Sequence, residues 1–238
     1  HHEHRRQRQM CIRDRLEVYP EVEKELGINL LSLIEVEKII SNEQEAIFWK
    51  EMSLTEESKD FLENKLSDIV IKGETKKLGV VKQTGRLDVQ SYVKHSQAYF
   101  HKKKRLIYEN FDSVKMEISD INVQYNNLST EKVIFAEGTY AEKNIFFDWL
   151  PFKSVKGDIL TIESEDLNVD KIRKKNIFIL PIGKNKYKIG ATYHWADKTW
   201  EPTEKGKLEI LEKFEKISDC TYKIINHEAC LLYTSDAA

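Results

Sequence analysis

The sequence predicts a mixed α/β (α+β) fold, in which part of a parallel α/β layer is interleaved with an antiparallel sheet. Three observations predict it. Residues 132–138, Lys-Val-Ile-Phe-Ala-Glu-Gly, form an apolar run ending in small residues, as expected of a strand buried on both faces in a parallel sheet. Asp158 to Glu163, Asn176 to Ile182 and Lys186 to Thr192 read as antiparallel strands; the last alternates Tyr187, Ile189 and Ala191 against Lys188. Segments with apolar residues at helical spacing behind capping residues lie before, between and after these strands.

Taken in order, Ser41 and Gln44 make a capping box ahead of Ala46, Ile47 and Phe48, so a helix is expected over 42–52. Thr55 followed by Glu56 and Glu57 opens another, carrying Phe61, Leu62 and Leu66. Asp88 caps a third, in which Val89, Tyr92, Val93 and Tyr99 share a face. Its end carries Lys102, Lys103, Lys104 and Arg105, where cations favour the negative end of the helix dipole; a phosphate-binding patch is the other reading. The link Gly183-Lys184-Asn185 has the chemistry of a tight hairpin turn. Pro202 and Thr203 precede a fourth helix with Leu208, Leu211, Phe214 and Ile217 on one side, and Thr221 to His227 is a further strand.

Of the 238 residues, 40% are hydrophobic and 33% charged, which fits a soluble globular chain and excludes disordered, collagen-like and low-complexity classes. The net charge of -2 gives no case for nucleic-acid binding, and no apolar run reaches the length of a bilayer span. Cys11, Cys220 and Cys230 lack paired spacing, so a reducing, cytoplasmic setting is expected. The ends differ from the Lys/Glu/Ile-rich body. Residues 1–15 are Arg-rich without hydrophobic period, and residues 230–238 read CLLYTSDAA. Both resemble translated sequencing-adapter read-through at the margins of sequences assembled from environmental DNA. They are expected to be non-native, with the protein's own sequence spanning 16–229 and truncated at both ends. His1, His2 and His4 fall in such an end, and no metal site is expected of them.

Catalytic signatures are largely missing. The nine glycines form neither G-x-G-x-x-G nor a P-loop, and there is no G-x-S-x-G, H-E-x-x-H or C-x-x-C. Paired carboxylates such as Glu56-Glu57 are ordinary solvated faces in so charged a chain.

The order of several segments goes further. Gly85-Arg86-Leu87-Asp88, Val133-Ile134-Phe135-Ala136-Glu137-Gly138, Leu150-Pro151-Phe152 with Lys156-Gly157-Asp158-Ile159-Leu160, Ile189-Gly190-Ala191-Thr192 and Asn226-His227-Glu228-Ala229 follow one another. Together they resemble the D-amino-acid oxidase and glycine oxidase family of FAD-dependent oxidoreductases, well over 83–229 and loosely over 16–82. The resemblance implies a fragment of a two-domain enzyme. Residues 16–82 would be a helical part of the substrate domain, 83–145 part of the FAD-binding domain, and 146–229 the antiparallel-sheet substrate domain.

It also implies the chemistry. The intact enzyme would oxidise the C–N bond of a small amine or amino acid by hydride transfer to FAD. The cofactor supplies the reactivity, which accounts for the missing acid–base motif. Ala136, Glu137 and Gly138 would lie against FAD, Gly138 letting backbone approach without a Cβ; the plain alternative is a strand-ending glycine. Tyr193 and Trp195 would share the substrate side, with His194 on the other face; either could equally be a core or surface aromatic. His227 heads the segment that in the family leads to the substrate-carboxylate Arg, but a strand-end histidine bonded to backbone is as natural. Without the Gly-rich turn that holds the pyrophosphate, the fragment itself is expected to bind FAD weakly and to be inactive. A different class remains open: a non-enzymatic binding module whose sheet and Lys102–Arg105 run recognise an acidic partner.

Overall fold

A computed structural model describes residues 17–150, 152–195, 197 and 199–234. The chain opens with α1 (residues 17–26), then β1 (Leu31–Leu33), β2 (Val36–Ile40), α2 (Glu43–Ser53), β3 (Ser67–Ile71), β4 (Glu74–Val81), β5 (Gly85–Leu87) and α3 (Val89–Lys102). Three short strands follow, β6 (Met116–Ile118), β7 (Val123–Tyr125) and β8 (Leu128–Thr130), and a 3-10 turn over Gly138–Lys143. The second half holds β9 (Lys153–Glu163), β10 (Ile172–Lys174), β11 (Phe178–Gly183), β12 (Lys186–Gly190), α4 (Glu204–Glu215) and β13 (Lys223–Thr234). Eight strands form one sheet in the order β13-β9-β12-β11-β10-β2-β4-β3, antiparallel except where β10 runs parallel to β2. The strands β6, β7 and β8 form a separate antiparallel sheet, and β1 pairs with β5.

Local chemistry sets several of these elements as expected. Lys184 and Asn185 both take positive φ, the conformation a two-residue hairpin between right-twisted strands needs, and Gly183 pairs with Lys186. Asp88 caps α3 by accepting from the Ser91 amide at 3.0 Å, and the basic run begins in the last turn of that helix. Thr203 caps α4 through the Gly206 amide at 3.0 Å. At α2 the box sits one residue later than expected: Asn42 is the cap, accepting from the Glu45 amide at 2.9 Å, while Glu45 reaches back to the Ser41 amide.

One face of the sheet carries the core. Ile210 and Phe214 of α4, with Ile217 just beyond it, pack on Leu160, Ile162, Ile179 and Ile189, all fully or nearly buried. Each such side chain contributes about 1.5–3 kcal/mol through removal from water.

Three expectations are corrected. The segment opened by Thr55 is a series of turns rather than a helix. Amides of Ser58, Lys59, Phe61 and Leu62 close short loops, Leu62 bridges to Val81, and the chain at once enters strand β3. The stretch 16–82, read as helical, therefore contains β1 to β4 beside α1 and α2. Residues 132–137 form no strand: Ile134 is 91% exposed, and only Phe135 packs, against Phe111, Phe146 and Phe147. An apolar strand needs hydrogen-bonding neighbours on both edges, and among the described residues none lies beside it. At the other end, β13 runs past Ala229, and Cys230 to Thr234 continue in register with Gly157 to Lys153 of β9. Residues 1–15, with His1, His2 and His4, lie outside the described residues, as do 235–238.

Candidate functional site

Alternation along β9 puts Lys156, Asp158, Leu160 and Ile162 in one row, all completely buried on the α4 side of the sheet. The apolar half of the row is core, and the charged half is a polar junction. Asp158 Oδ1 accepts from the Thr203 amide at 2.9 Å and lies 2.9 Å from His227 Nε2. Its own amide donates to Thr192 Oγ1 at 2.9 Å. The carboxylate thus sits beneath the N-terminus of α4, where unpaired amides and the helix dipole favour negative charge. Only a glycine fits above it, since a Cβ on Gly206 would fall 2.3 Å from Asp158 Oδ2.

Two residues along, Lys156 Nζ donates to Asp197 Oδ2 at 2.7 Å and to Thr199 Oγ1 at 2.9 Å. Hydrogen bonding from the Lys156 ammonium, then from Thr199, holds the Asp197 carboxyl well below the usual carboxylate range. Lys156 and His194 also exchange backbone bonds, His194 N to Lys156 O at 2.8 Å and Lys156 N to His194 O at 3.0 Å. The segment after β12 is thereby tied to the buried row.

The opposite face carries α2 over β4, where Trp49 lies on Gly79, and leaves a cleft over β10, β11 and β12. Phe178 and Leu180 alternate with core Ile179 and point away from α4, and Gly190 stands opposite Phe178. With Val36, Ile172 and Ala191 they line a cleft of ≈ 380 Å³. Lys174 is the one charged group among its lining residues; Asn176 and Tyr193 add polar atoms.

The three substrate-side candidates are not brought together. Tyr193, 65% exposed, is at this cleft. Trp195 is exposed and does not line it. His227 pairs with Leu160 in register, so it belongs to the α4 side, and its partner is the Asp158 carboxylate rather than backbone. The His194 side chain also turns to that side, with Nε2 3.4 Å from Glu209 Oε2 though not aligned as a hydrogen bond. The sequence pattern did not single out Lys156, Asp158 and Asp197 as a charged network. The available signal was two opposite charges at alternate positions of a strand that turns apolar immediately afterwards.

Of the cofactor-side candidates, Ala136 and Gly138 are exposed, and Glu137 Oε2 accepts from Asn144 Nδ2 at 2.7 Å. Gly138 has φ +56°, and a Cβ there would meet nothing within 4 Å. Glycine is favoured at that position by backbone conformation, and the space beside it is open. No helix among the described residues is long and apolar enough to cross a membrane.

The architecture is that of a mixed α/β chain whose long, mostly antiparallel sheet carries α4 on one face and, on the other, α2 over β4 with the cleft farther along the sheet. It is shared with solved structures of amino-acid-oxidising enzymes. The chain is similar to glycine oxidase from Bacillus cereus, with a TM-score of 0.72 at 15% identity over 97% of this chain and 68% of that one. It is similar to L-proline dehydrogenase from P. horikoshii, with a TM-score of 0.72 at 12% identity over 94% and 67%. L-amino acid deaminase from Proteus vulgaris matches with a TM-score of 0.67 at 13% identity over 91% and 69%. The chain spans about two thirds of the length of these structures, and at such identities the likeness is one of fold. No protein-family model matches the chain.

Proposed function

We propose that the protein takes part in flavin-dependent oxidation of the C–N bond of an amino acid or secondary amine, with the open-face cleft as the substrate side. The observation that carries this reading is the cleft itself: apolar walls and one cation, on the face of the sheet away from α4, in a fold shared with a glycine oxidase and an L-proline dehydrogenase. Such a lining suits a substrate with an aliphatic or aromatic body and a carboxylate that meets Lys174. Tyr193 at the cleft offers a hydroxyl and an apolar ring to the same substrate, and Trp195, two residues on, stands exposed outside the cleft lining. His227 acts from behind the sheet by holding Asp158, a positioning role. Ala136, Glu137 and Gly138 are the residues that would lie against FAD, the bare backbone at Gly138 allowing close approach. FAD, when bound, supplies the hydride acceptor. Unpaired cysteine spacing supports a cytoplasmic setting.

The test is anaerobic mixing of the intact enzyme that contains this chain, loaded with FAD, with a panel of amino acids. Leucine, proline and phenylalanine are expected to bleach the flavin band and glutamate to do so far more slowly. Lys174→Met is expected to raise KM about tenfold or more while changing kcat little, the pattern of a lost ground-state contact. An intact enzyme that takes up no FAD, or a flavin band in it that no amino acid or amine bleaches, would overturn the reading.

A further inference from the structure

A second concavity is a groove of ≈ 830 Å³ between α2, the segment that precedes β3, and β4. Ile40 belongs to it and Val36 to the cleft, at the two ends of β2, so the two sites lie about 13 Å apart at roughly 3.3 Å per residue. The groove and the flavin chemistry of the cleft therefore stand or fall separately.

The groove has an apolar floor and a basic rim. Ile40 is buried, while Ile47, 52% exposed, and Leu66 present apolar surface to whatever lies above. Lys50 comes from α2, Lys65 from the segment before β3, and Lys76 and Lys77 from β4. Alternation along β4 turns Lys76 to the Leu78 side, and against the other three lysines the lining holds one carboxylate, Glu43. Lys76 is paired with Glu74 and Lys77 with Asp68, the latter at 2.7 Å. Lys50 and Lys65 have no ion pair among the described residues, and they stand at the groove without a counter-charge. Beyond the groove, β3 is the last strand of the large sheet, so its outer edge is not hydrogen-bonded to another strand of that sheet.

We infer that this groove binds an extended acidic segment of a partner protein, its carboxylates on Lys50 and Lys65 and its apolar side chains on Ile47 and Leu66. Charge complementarity selects the occupant. A basic or neutral segment leaves both ammonium groups unanswered, and a purely apolar one leaves the rim unused. Lysines drawn from three elements follow an extended chain better than a single compact anion, and their flexible stems adjust to carboxylates spaced along it. The Lys102–Arg105 run at the end of α3 is a second basic feature of the surface, outside this groove, and serves as the internal control.

The experiment uses the full chain and a fluorescein-labelled peptide of alternating Glu and Val, followed by fluorescence anisotropy. Saturable binding is expected. It should weaken about tenfold or more in the Lys50→Glu/Lys65→Glu double variant and fall steeply when salt is raised to about 0.5 M, where exposed charges are screened within a few ångströms. Both lysines are on the rim, so circular dichroism and thermal melting should be those of the parent. Replacing Lys102, Lys103, Lys104 and Arg105 with Ala should leave affinity within a factor of about two. Three outcomes overturn the inference: no saturable binding, equal binding of the matching Lys–Val peptide, or binding lost with the Lys102–Arg105 changes and kept in the double variant. Anionic lipid vesicles that bind with the same dependence on Lys50 and Lys65 and displace the peptide would also overturn it, making the groove a membrane contact.

Discussion

Lys156 and Asp158 are completely buried charges two positions apart, and each is answered by a different partner set. Burial of an ionised group is tolerated only with such pairing, so each charge fixes where its partners must be. Asp158 fixes the start of α4 and the ring of His227; Lys156 fixes Asp197 and Thr199, and with them the chain that leaves β12 past Tyr193. The Asp197 end of the latch is pH-dependent in a definite direction. Its carboxyl titrates below the ordinary value of 3.8 because Lys156 and Thr199 bond to the ionised form. A carboxyl depressed on folding stabilises the fold fully above its unfolded value, and that contribution is lost as pH falls toward the folded one. Asp197→Asn is therefore expected to be less stable than the parent by a constant margin from neutral pH down to about 5, with the margin shrinking as pH drops below about 4. Urea unfolding of both proteins across that range measures it, and a margin that stays unchanged at the acidic end would show that Asp197 is not held by Lys156.

At the scale of elements, the seating of α2 depends on a single glycine. Trp49 is buried beneath the helix, its Nε1 donating to the Glu63 carbonyl at 2.9 Å, and its ring lies over Gly79 of β4. A Cβ on Gly79 would fall 2.4 Å from Trp49 Cε2, which no packed structure accepts, so Gly79→Ala must lift the helix or turn the indole. The expected cost is about 1–3 kcal/mol, with red-shifted tryptophan emission as water reaches the ring. An alanine variant with parent stability and parent emission would show that the helix is not seated on Gly79. Neither this contact nor the polar junction was legible in the sequence, because both join residues far apart in the chain. The legible features are local: the Asp88 cap, the Thr203 cap and the Lys184–Asn185 turn each need only three or four consecutive residues. The short β10 escaped notice because Arg173 finds its partner in Glu37, bonded at 2.9 Å across the parallel pairing with β2. Residues 132–138 failed for the complementary reason. Their composition reads as a buried strand, but a strand is made by its neighbours, which no local pattern supplies. Of the cleft lining, Tyr193 was singled out by its place after the Gly190-Ala191-Thr192 segment, whereas the rest comes from strands whose pairing only the fold reveals.

At the scale of the whole molecule, stability is unevenly distributed, and the distribution follows from which segments share the core. β9 is hydrogen-bonded on both edges, to β12 and β13, and its inner row is sealed by α4. Its amides are exposed only when the sheet comes apart. The region from about 107 to 150 is built differently. β6, β7 and β8 have three residues each and pair only with one another, while Val114, Ile121 and Trp149 lie largely in solvent. Its packing is a small aromatic group, with Phe111 4.8 Å from Tyr125 and Phe135 5.3 Å from Phe147 by ring centroids, and a limited contact of the 3-10 turn with β13. A two-edged, helix-covered sheet and a small satellite cluster of this kind open with different free energies. Native-state hydrogen exchange is expected to show the amides of β9 and β12 exchanging only through global unfolding, and those of β6 to β8 exchanging orders of magnitude faster through local opening. Limited chymotrypsin digestion should accordingly make its first cut between 107 and 150, at exposed aromatic or leucine positions, and leave a resistant product containing β9 to β13. Uniform protection across both regions, or a first cut within β9 to β12, would show that the satellite cluster and the main core form one cooperative unit.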